Sequence, residues 1–201
     1  MIYVIGIGPG LSNLLTPLAT EKISKASVVI GSTRQLELVT DKNINKRLLD
    51  NKLSDLIVWL KENRDKNIAV LASGDPMLYG IGKLIKKELK DEEVLIVPGI
   101  SSVQYLFSKL GLDMNDLYLT STHGKEADFD FLLKHKKVSL MTDKHMGPFE
   151  IAQEIVKRNL NRTLIIGEML SYPDEKITVL EAKDVLQLDY KMNVVVILDE
   201  R

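Results

Sequence analysis

The sequence predicts an α/β protein of two lobes: a mostly parallel N-terminal sheet wrapped by helices, a mixed C-terminal sheet, and a ligand cleft between them. Three observations carry that expectation. Short apolar runs rich in β-branched residues recur, bounded by glycine or polar loops, as strands buried on both faces do. Segments of helical period alternate with them as far as residue 112, which favours crossover connections and a parallel sheet. Beyond the polar stretch Gly111 to Asp116, strand candidates outnumber helices, which implies antiparallel pairs. The expected lobes are therefore 1–112 and 113–201. No linker separates them, so direct packing would leave a cleft, the default ligand site.

Each element has a local reason. Ile2 to Ile7 is a short apolar run broken by glycine, a central strand. Thr16-Pro17 sets an N-cap before a proline at the first helical position, and Leu18, Ile23 and Ala26 stripe a helix over about 17–25. Ser27 to Gly31 is a second strand, Arg34 to Val39 a short helix, Leu53 to Asn63 an amphipathic helix, and Asn67 to Ala72 a third strand. A helix from Pro76 to Leu89, a strand from Val94 to Val97 and a helix from Ser101 to Leu110 complete the first lobe. In the second lobe, Leu117 to Thr120, Lys137 to Met141, Thr163 to Gly167, Lys176 to Leu180 and Asn193 to Leu198 are strand candidates. The strong helix there spans about 148–158.

Composition narrows the function classes. The 27 basic and 28 acidic residues leave a formal net charge of -1, so no long-range field favours nucleic acid or an anionic membrane. An anionic ligand must be met by local charge. The absence of cysteine excludes disulfides, thiolate zinc sites and cysteine nucleophiles, and fits a reducing compartment. The three histidines have no spaced partner, so no metal site is expected. Met1 to Ile7 lacks a basic lead-in and is too short for a signal peptide, and no apolar run nears the ~20 residues of a membrane helix. A cytoplasmic protein without nucleic-acid or membrane partners is expected.

Chemistry concentrates at strand ends. Gly6-Ile7-Gly8-Pro9-Gly10 admits a nucleotide-phosphate loop, a plain tight turn, or a turn shaping the mouth of the cleft. The phosphate option is weakened because Pro9 removes a donor, the helix starts late, and the second strand ends in Gly31-Ser32 rather than an acid. Ser73-Gly74-Asp75-Pro76 stands where a strand gives way to a helix, the place where open α/β sheets collect ligands. Asp75 is there either a ligand contact or an N-cap. Gly80 and Gly82 in a first helical turn cost about 1 kcal/mol each against alanine and call for a packing or ligand reason. Pro98-Gly99-Ile100-Ser101-Ser102 repeats the arrangement, with Ser101 a cap candidate. In the second lobe His123-Gly124, Met141-Thr142-Asp143 and the run Gly167 to Glu175 follow strands. Lys125, Lys136, Lys137, Lys144 and His145 are either a basic rim or solvated loop charges.

Taken together, these loops, with Tyr79-Gly80-Ile81-Gly82, Ser121-Thr122-His123-Gly124 and Leu170-Ser171-Tyr172-Pro173-Asp174-Glu175, resemble the tetrapyrrole methylases over essentially the whole chain. Within that family they look most like the members that methylate C5 of cobalt-precorrin-7 in anaerobic cobalamin biosynthesis. The resemblance implies two α/β lobes, a homodimer, and S-adenosyl-L-methionine held in the cleft. By position, Pro9, Ser73, Gly74, Asp75, Leu78, Ser101, Ser102, Met141 and Leu170 would contact that cofactor. Gly8, Gly10, Arg34, Tyr79 and His123 would border the tetrapyrrole. Some relatives carry a second domain for the neighbouring methylation and decarboxylation; 201 residues leave no room for it, so a separate C15-methyltransferase/decarboxylase is expected as a partner.

Methyl transfer from a sulfonium to carbon is an in-line displacement that needs alignment rather than a nucleophilic side chain. If a general base is required, His123, Asp143 and Glu168 are the candidates. Arg34 and basic residues of the second lobe could clamp the substrate's carboxylates. The rivals are another member of the group, acting on a different precorrin, on a modified histidine as diphthine synthase does, or on ribosomal RNA, and a nonenzymatic nucleotide-sensing module.

Overall fold

The computed structural model describes residues 1–50, 52–89, 94–122 and 127–199. The chain forms two compact units, Met1–Ser102 and Val103–Arg201.

The first unit runs β1 (Ile2–Gly6), α1 (Pro17–Ser24), β2 (Val28–Gly31), α2 (Thr33–Leu36), β3 (Asn45–Leu48), α3 (Leu53–Glu62), β4 (Ile68–Ala72), α4 (Gly82–Leu89) and β5 (Val94–Val97), with a 3-10 turn at Ser12–Leu14. The strands lie in the order β3-β2-β4-β1-β5, every pair parallel. The two-residue period of a strand sorts the core between its faces. Ile2, Val4, Ile68 and Val70 pack with Leu56 and Leu60 of α3 and Ile85 and Leu89 of α4. Ile5, Ala69 and Leu71 pack with Ala19 and Ile23 of α1. Burying one such leucine or isoleucine stabilises the fold by about 1.5–3 kcal/mol. The α1 start is as expected: the Thr16 hydroxyl accepts from the Ala19 amide at 3.1 Å, with proline following.

Two elements of this unit depart from expectation, each for a local reason. The polar strand β3, Asn45-Lys46-Arg47-Leu48, is an edge strand held by its ladder to β2 and mostly exposed, so it shows no apolar alternation. The helix expected from Pro76 begins only at Gly82, because residues 76–81 coil tightly: Tyr79 takes φ 53° and the Gly82 amide donates to the Pro76 carbonyl at 2.9 Å. A β-carbon on Gly80 or Gly82 would stand 2.6 Å from that same carbonyl, so a packing reason accounts for both glycines.

The second unit takes α5 (Ser102–Leu110) with it, because Val103, Leu106 and Phe107 pack on Ile165, Val194 and Val196. The expected division at 112/113 therefore lies one helix later than the compact units do; the polar stretch marks the end of α5. Then follow β6 (Leu117–Ser121), α6 (Phe129–Leu132), β7 (Lys137–Met141), α7 (Pro148–Val156), β8 (Thr163–Glu168), β9 (Lys176–Glu181), a 3-10 turn at Ala182–Asp184, and β10 (Asn193–Leu198). The sheet order is β6-β7-β10-β8-β9, with β6–β7 parallel and the other pairs antiparallel, the mixed character expected. The single turn α6 is too short to show a helical period and is capped by Asp128, which accepts from the Phe131 amide at 3.0 Å. Arg162, buried in this unit, donates to the Leu133 carbonyl at 3.1 Å and pairs with Asp199 at 3.2 Å. It ties the end of α6 to the end of β10.

Candidate functional site

β1 and β4 are neighbours and parallel, yet the chain leaves β1 for α1 on one face of the sheet and leaves β4 for α4 on the other. Connections that part in this way open a crevice at the carboxyl ends of the strands, the switch point where ligands collect in open α/β sheets. Backbone alone builds its floor. Gly8 and Gly74 form a two-way bridge, the Gly74 amide donating to the Gly8 carbonyl at 2.8 Å and the Gly8 amide to the Gly74 carbonyl at 3.3 Å. Gly8 (φ 77°) and Gly74 (φ 64°) adopt the left-handed conformation open to glycine. A β-carbon on Gly6 would stand 2.5 Å from the Gly99 nitrogen and 2.6 Å from the Gly74 oxygen. The glycines after β1, β4 and β5 therefore let three loops pack main chain on main chain, and the space beside Gly6 is filled by protein.

Asp75 joins two of these loops. One carboxylate oxygen accepts from the Met77 amide at 2.8 Å and the other from the Gly99 amide at 3.1 Å. It is not the N-cap of α4, which starts seven residues later. The Ser73 hydroxyl accepts from Arg34 Nη2 at 3.0 Å and from Gln35 Nε2 at 3.1 Å, so α2 grips the loop after β4. Gln35 is held by the capping box at Ser32, its Oε1 accepting from the Ser32 amide at 2.8 Å. Leu78 is half-buried, its amide donating to the Asp75 carbonyl at 3.2 Å, while Tyr79 is exposed. Pro9 is buried and Gly10 half-buried. Ser101 is buried, and its Cα would stand 3.4 Å from a β-carbon on Gly74; Ser102 opens α5. The fold thus brings Gly8, Arg34, Ser73, Gly74, Asp75 and Ser101 to one end of the first sheet.

In the second unit, Met141 ends β7 and is half-buried against the α5 cluster. Its carbonyl accepts from the Thr122 amide at 2.9 Å and from the Thr122 and Ser121 hydroxyls. Leu170 is 4% exposed and packs in the same cluster, so its side chain is spent on packing. Asp143 Oδ1 accepts from the His145 and Met146 amides at 2.8 and 2.9 Å and closes a turn. Glu168 is buried and accepts from the Lys191 amide at 3.0 Å. Both acids of the general-base shortlist are thus engaged with main-chain amides; His123 lies outside the described residues, as do Gly124 and Lys125. Among the described residues, the remaining cations do not form a continuous basic rim. Lys137 opens β7 and pairs with Asp113 at 2.7 Å, whereas Lys144 and His145 follow the other end of that strand.

The Leu170 to Glu175 run has a structural logic of its own. Met169 and Ser171 take φ of 46° and 70°, and Glu175 Oε2 accepts from the Ser171 amide at 2.6 Å. Burial pushes the Glu175 carboxyl up, but the Ser171 amide, the Tyr105 hydroxyl and Lys109, 3.1 Å away, outweigh it and hold the group below the usual glutamate range. Burial, then Glu175, raises Tyr105. Gln35, Tyr105 and Glu175 were not singled out from the sequence as site residues. A serine three residues before Gln35 is the one local signal, the capping-box spacing.

The model of the tetrapyrrole (corrin/porphyrin) methylases matches residues 1–186. The chain is 44% identical, over the full length of both proteins, to the cobalt-precorrin-7 C(5)-methyltransferase of Salmonella typhimurium. It is 31% identical to a precorrin-6Y C(5,15)-methyltransferase (decarboxylating) of a Sinorhizobium species, matched over 96% of this chain and 48% of that one. The crystal structure of the precorrin-6Y methylase CbiE of Archaeoglobus fulgidus superposes with a TM-score of 0.80 at 27% identity, over 100% of this chain and 99% of that one. A strand-end crevice floored by glycines, a parallel sheet followed by a mixed one, and a family match across nearly the whole chain agree: the protein belongs to the tetrapyrrole methylases, a family of S-adenosylmethionine-dependent methyltransferases.

Proposed function

We propose that this protein transfers a methyl group from S-adenosyl-L-methionine to C5 of cobalt-precorrin-7, giving cobalt-precorrin-8, in cobalamin biosynthesis. The observation that carries this reading is the 44% identity over the full length of the Salmonella enzyme that bears that activity. The residues at the switch point suit the cofactor. Residues 74–82 and 98–102 contain no lysine, arginine or histidine, and present main-chain carbonyls, serine hydroxyls and one carboxylate. A cationic sulfonium is favoured beside such fixed dipoles. S-adenosylmethionine supplies an electrophilic methyl; the chain's task is to hold donor and acceptor close and aligned, which can account for about 7–11 kcal/mol of a barrier.

The residues proposed to hold the cofactor are Ser73, Gly74, Asp75, Leu78 and Ser101, with Pro9 and Ser102 beside them. Asp75 acts by fixing the loops after β4 and β5 to one another, which positions the main chain offered to the ligand. Gly8, Gly10, Arg34 and Tyr79 belong to the tetrapyrrole side. Met141 and Leu170 are carried into the proposal by the resemblance alone, Met141 as a half-buried side chain and Leu170 through its main chain. A homodimer in the cytoplasm, working beside a separate C15-methyltransferase/decarboxylase, completes it. The Sinorhizobium relative, of which this chain spans 48%, supports an association between the two activities. Incubating the protein with S-adenosylmethionine and a panel of corrin intermediates, followed by mass spectrometry, tests the reading. A single added methyl on cobalt-precorrin-7 is expected, and methylation of another intermediate in preference to it contradicts the substrate assignment.

A further inference from the structure

We propose that Ser73 and Arg34 form a carboxylate-binding subsite at the carboxyl ends of β2 and β4, in which the Ser73 hydroxyl, accepting from protein on both lone pairs, faces the ligand solely as a hydrogen-bond donor. The argument begins at Ser32. Its amide donates to Gln35 Oε1 at 2.8 Å, which fixes the amide of the buried Gln35 so that Nε2 faces Ser73 Oγ at 3.1 Å. Rotating that amide by half a turn would break both bonds. Arg34 Nη2 stands 3.0 Å from the same oxygen, and a guanidinium has donors only. A serine hydroxyl has two lone pairs and one hydrogen. Both lone pairs are taken, so the exposed Ser73 hydroxyl turns its hydrogen outward, next to a guanidinium that is always charged.

A directed O–H beside a fixed cation suits an anion and repels a sulfonium or an ammonium. Resting on the proposed function for its ligands, this separates Ser73 from the loops without basic side chains that would face the sulfonium. A carboxylate is the shared chemistry, and it has two sources there: the acid side chains of the tetrapyrrole, and the α-carboxylate of the cofactor.

Paired probes distinguish them. Cobyrinic acid and its heptamethyl ester differ in carboxylates on a corrin; S-adenosylhomocysteine and 5′-methylthioadenosine differ in the amino-acid carboxylate and amine. Affinities are measured by absorbance titration for the first pair and calorimetry for the second, on wild type, Ser73→Ala, Ser73→Thr and Arg34→Gln, with melting curves alongside. Ser73→Ala and Arg34→Gln are expected to weaken the carboxylate-bearing member of one pair by about tenfold or more, the scale of a charge-assisted hydrogen bond. Its carboxylate-free partner should be unchanged, and Ser73→Thr should retain affinity. A change in the first pair assigns the tetrapyrrole, and a change in the second the cofactor. Equal weakening of both members, or no change in either pair, overturns the subsite. Should Ser73→Ala fail to fold, Arg34→Gln reads the same difference. These are binding measurements, so a failure of cobalt-precorrin-7 to be methylated by wild type would sink the proposed reaction while leaving the subsite to be judged on its own.

Discussion

At the scale of single residues, the chemistry-bearing positions divide into those that could face a ligand and those already committed to the fold. Asp75 belongs to both groups. Its position after a buried strand marked it as functional, with capping as the alternative; instead, its two oxygens bridge the Met77 and Gly99 amides. Charge-assisted bonds of this kind contribute about 1.5–3 kcal/mol. Asp75→Ala is therefore expected to lower unfolding stability in urea by about that range and to weaken S-adenosylhomocysteine binding in calorimetry. A variant as stable as wild type would show that the bridge carries nothing, and unchanged affinity would remove Asp75 from the cofactor's support. The glycines were legible as backbone features, but not their partners: that Gly6 meets Gly74 and Gly99 depends on β1 lying between β4 and β5, which no local pattern encodes. Gln35 was missed for the same reason, since its partner Ser73 is 38 residues away.

At the scale of elements, buried strands and helices of clear period were legible because burial on one or both faces leaves its mark in the sequence. What was lost had no such mark: the polar edge strand β3, the single turn α6, and the late start of α4 behind a coil with Tyr79 at positive φ. The turn after β8 shows how a short motif can be both recognisable and structural. Two residues there hold positive φ, and Glu175 secures them by accepting the Ser171 amide while meeting Tyr105 and Lys109 of α5. A carboxyl held below its ordinary value of 4.5 stabilises the fold above that pH, and the contribution is lost as pH falls through the folded-state value. Unfolding of wild type and Glu175→Gln across an acid series should therefore show wild type the more stable near neutrality, with the gap closing below pH 4.5. A gap that does not change with pH would mean that the ionised carboxylate is not what holds the turn.

For the whole molecule, the near balance of 27 basic and 28 acidic residues leaves recognition to local groups. The switch point of the first unit supplies them: a glycine floor, the Asp75 bridge and the Arg34–Ser73 pair within one set of strand ends. The family was legible because its loops recur together at strand ends across the chain, and the match over residues 1–186 bears that out. The division into units was less legible, since α5 looks by pattern like the last helix of the first unit yet packs its apolar side chains in the second. The central claim is the position of methylation. Incubation with S-adenosylmethionine carrying a carbon-13 methyl and with cobalt-precorrin-7, followed by NMR of the product, tests it most directly. The label is expected on C5; label appearing solely on another ring carbon would contradict the assignment.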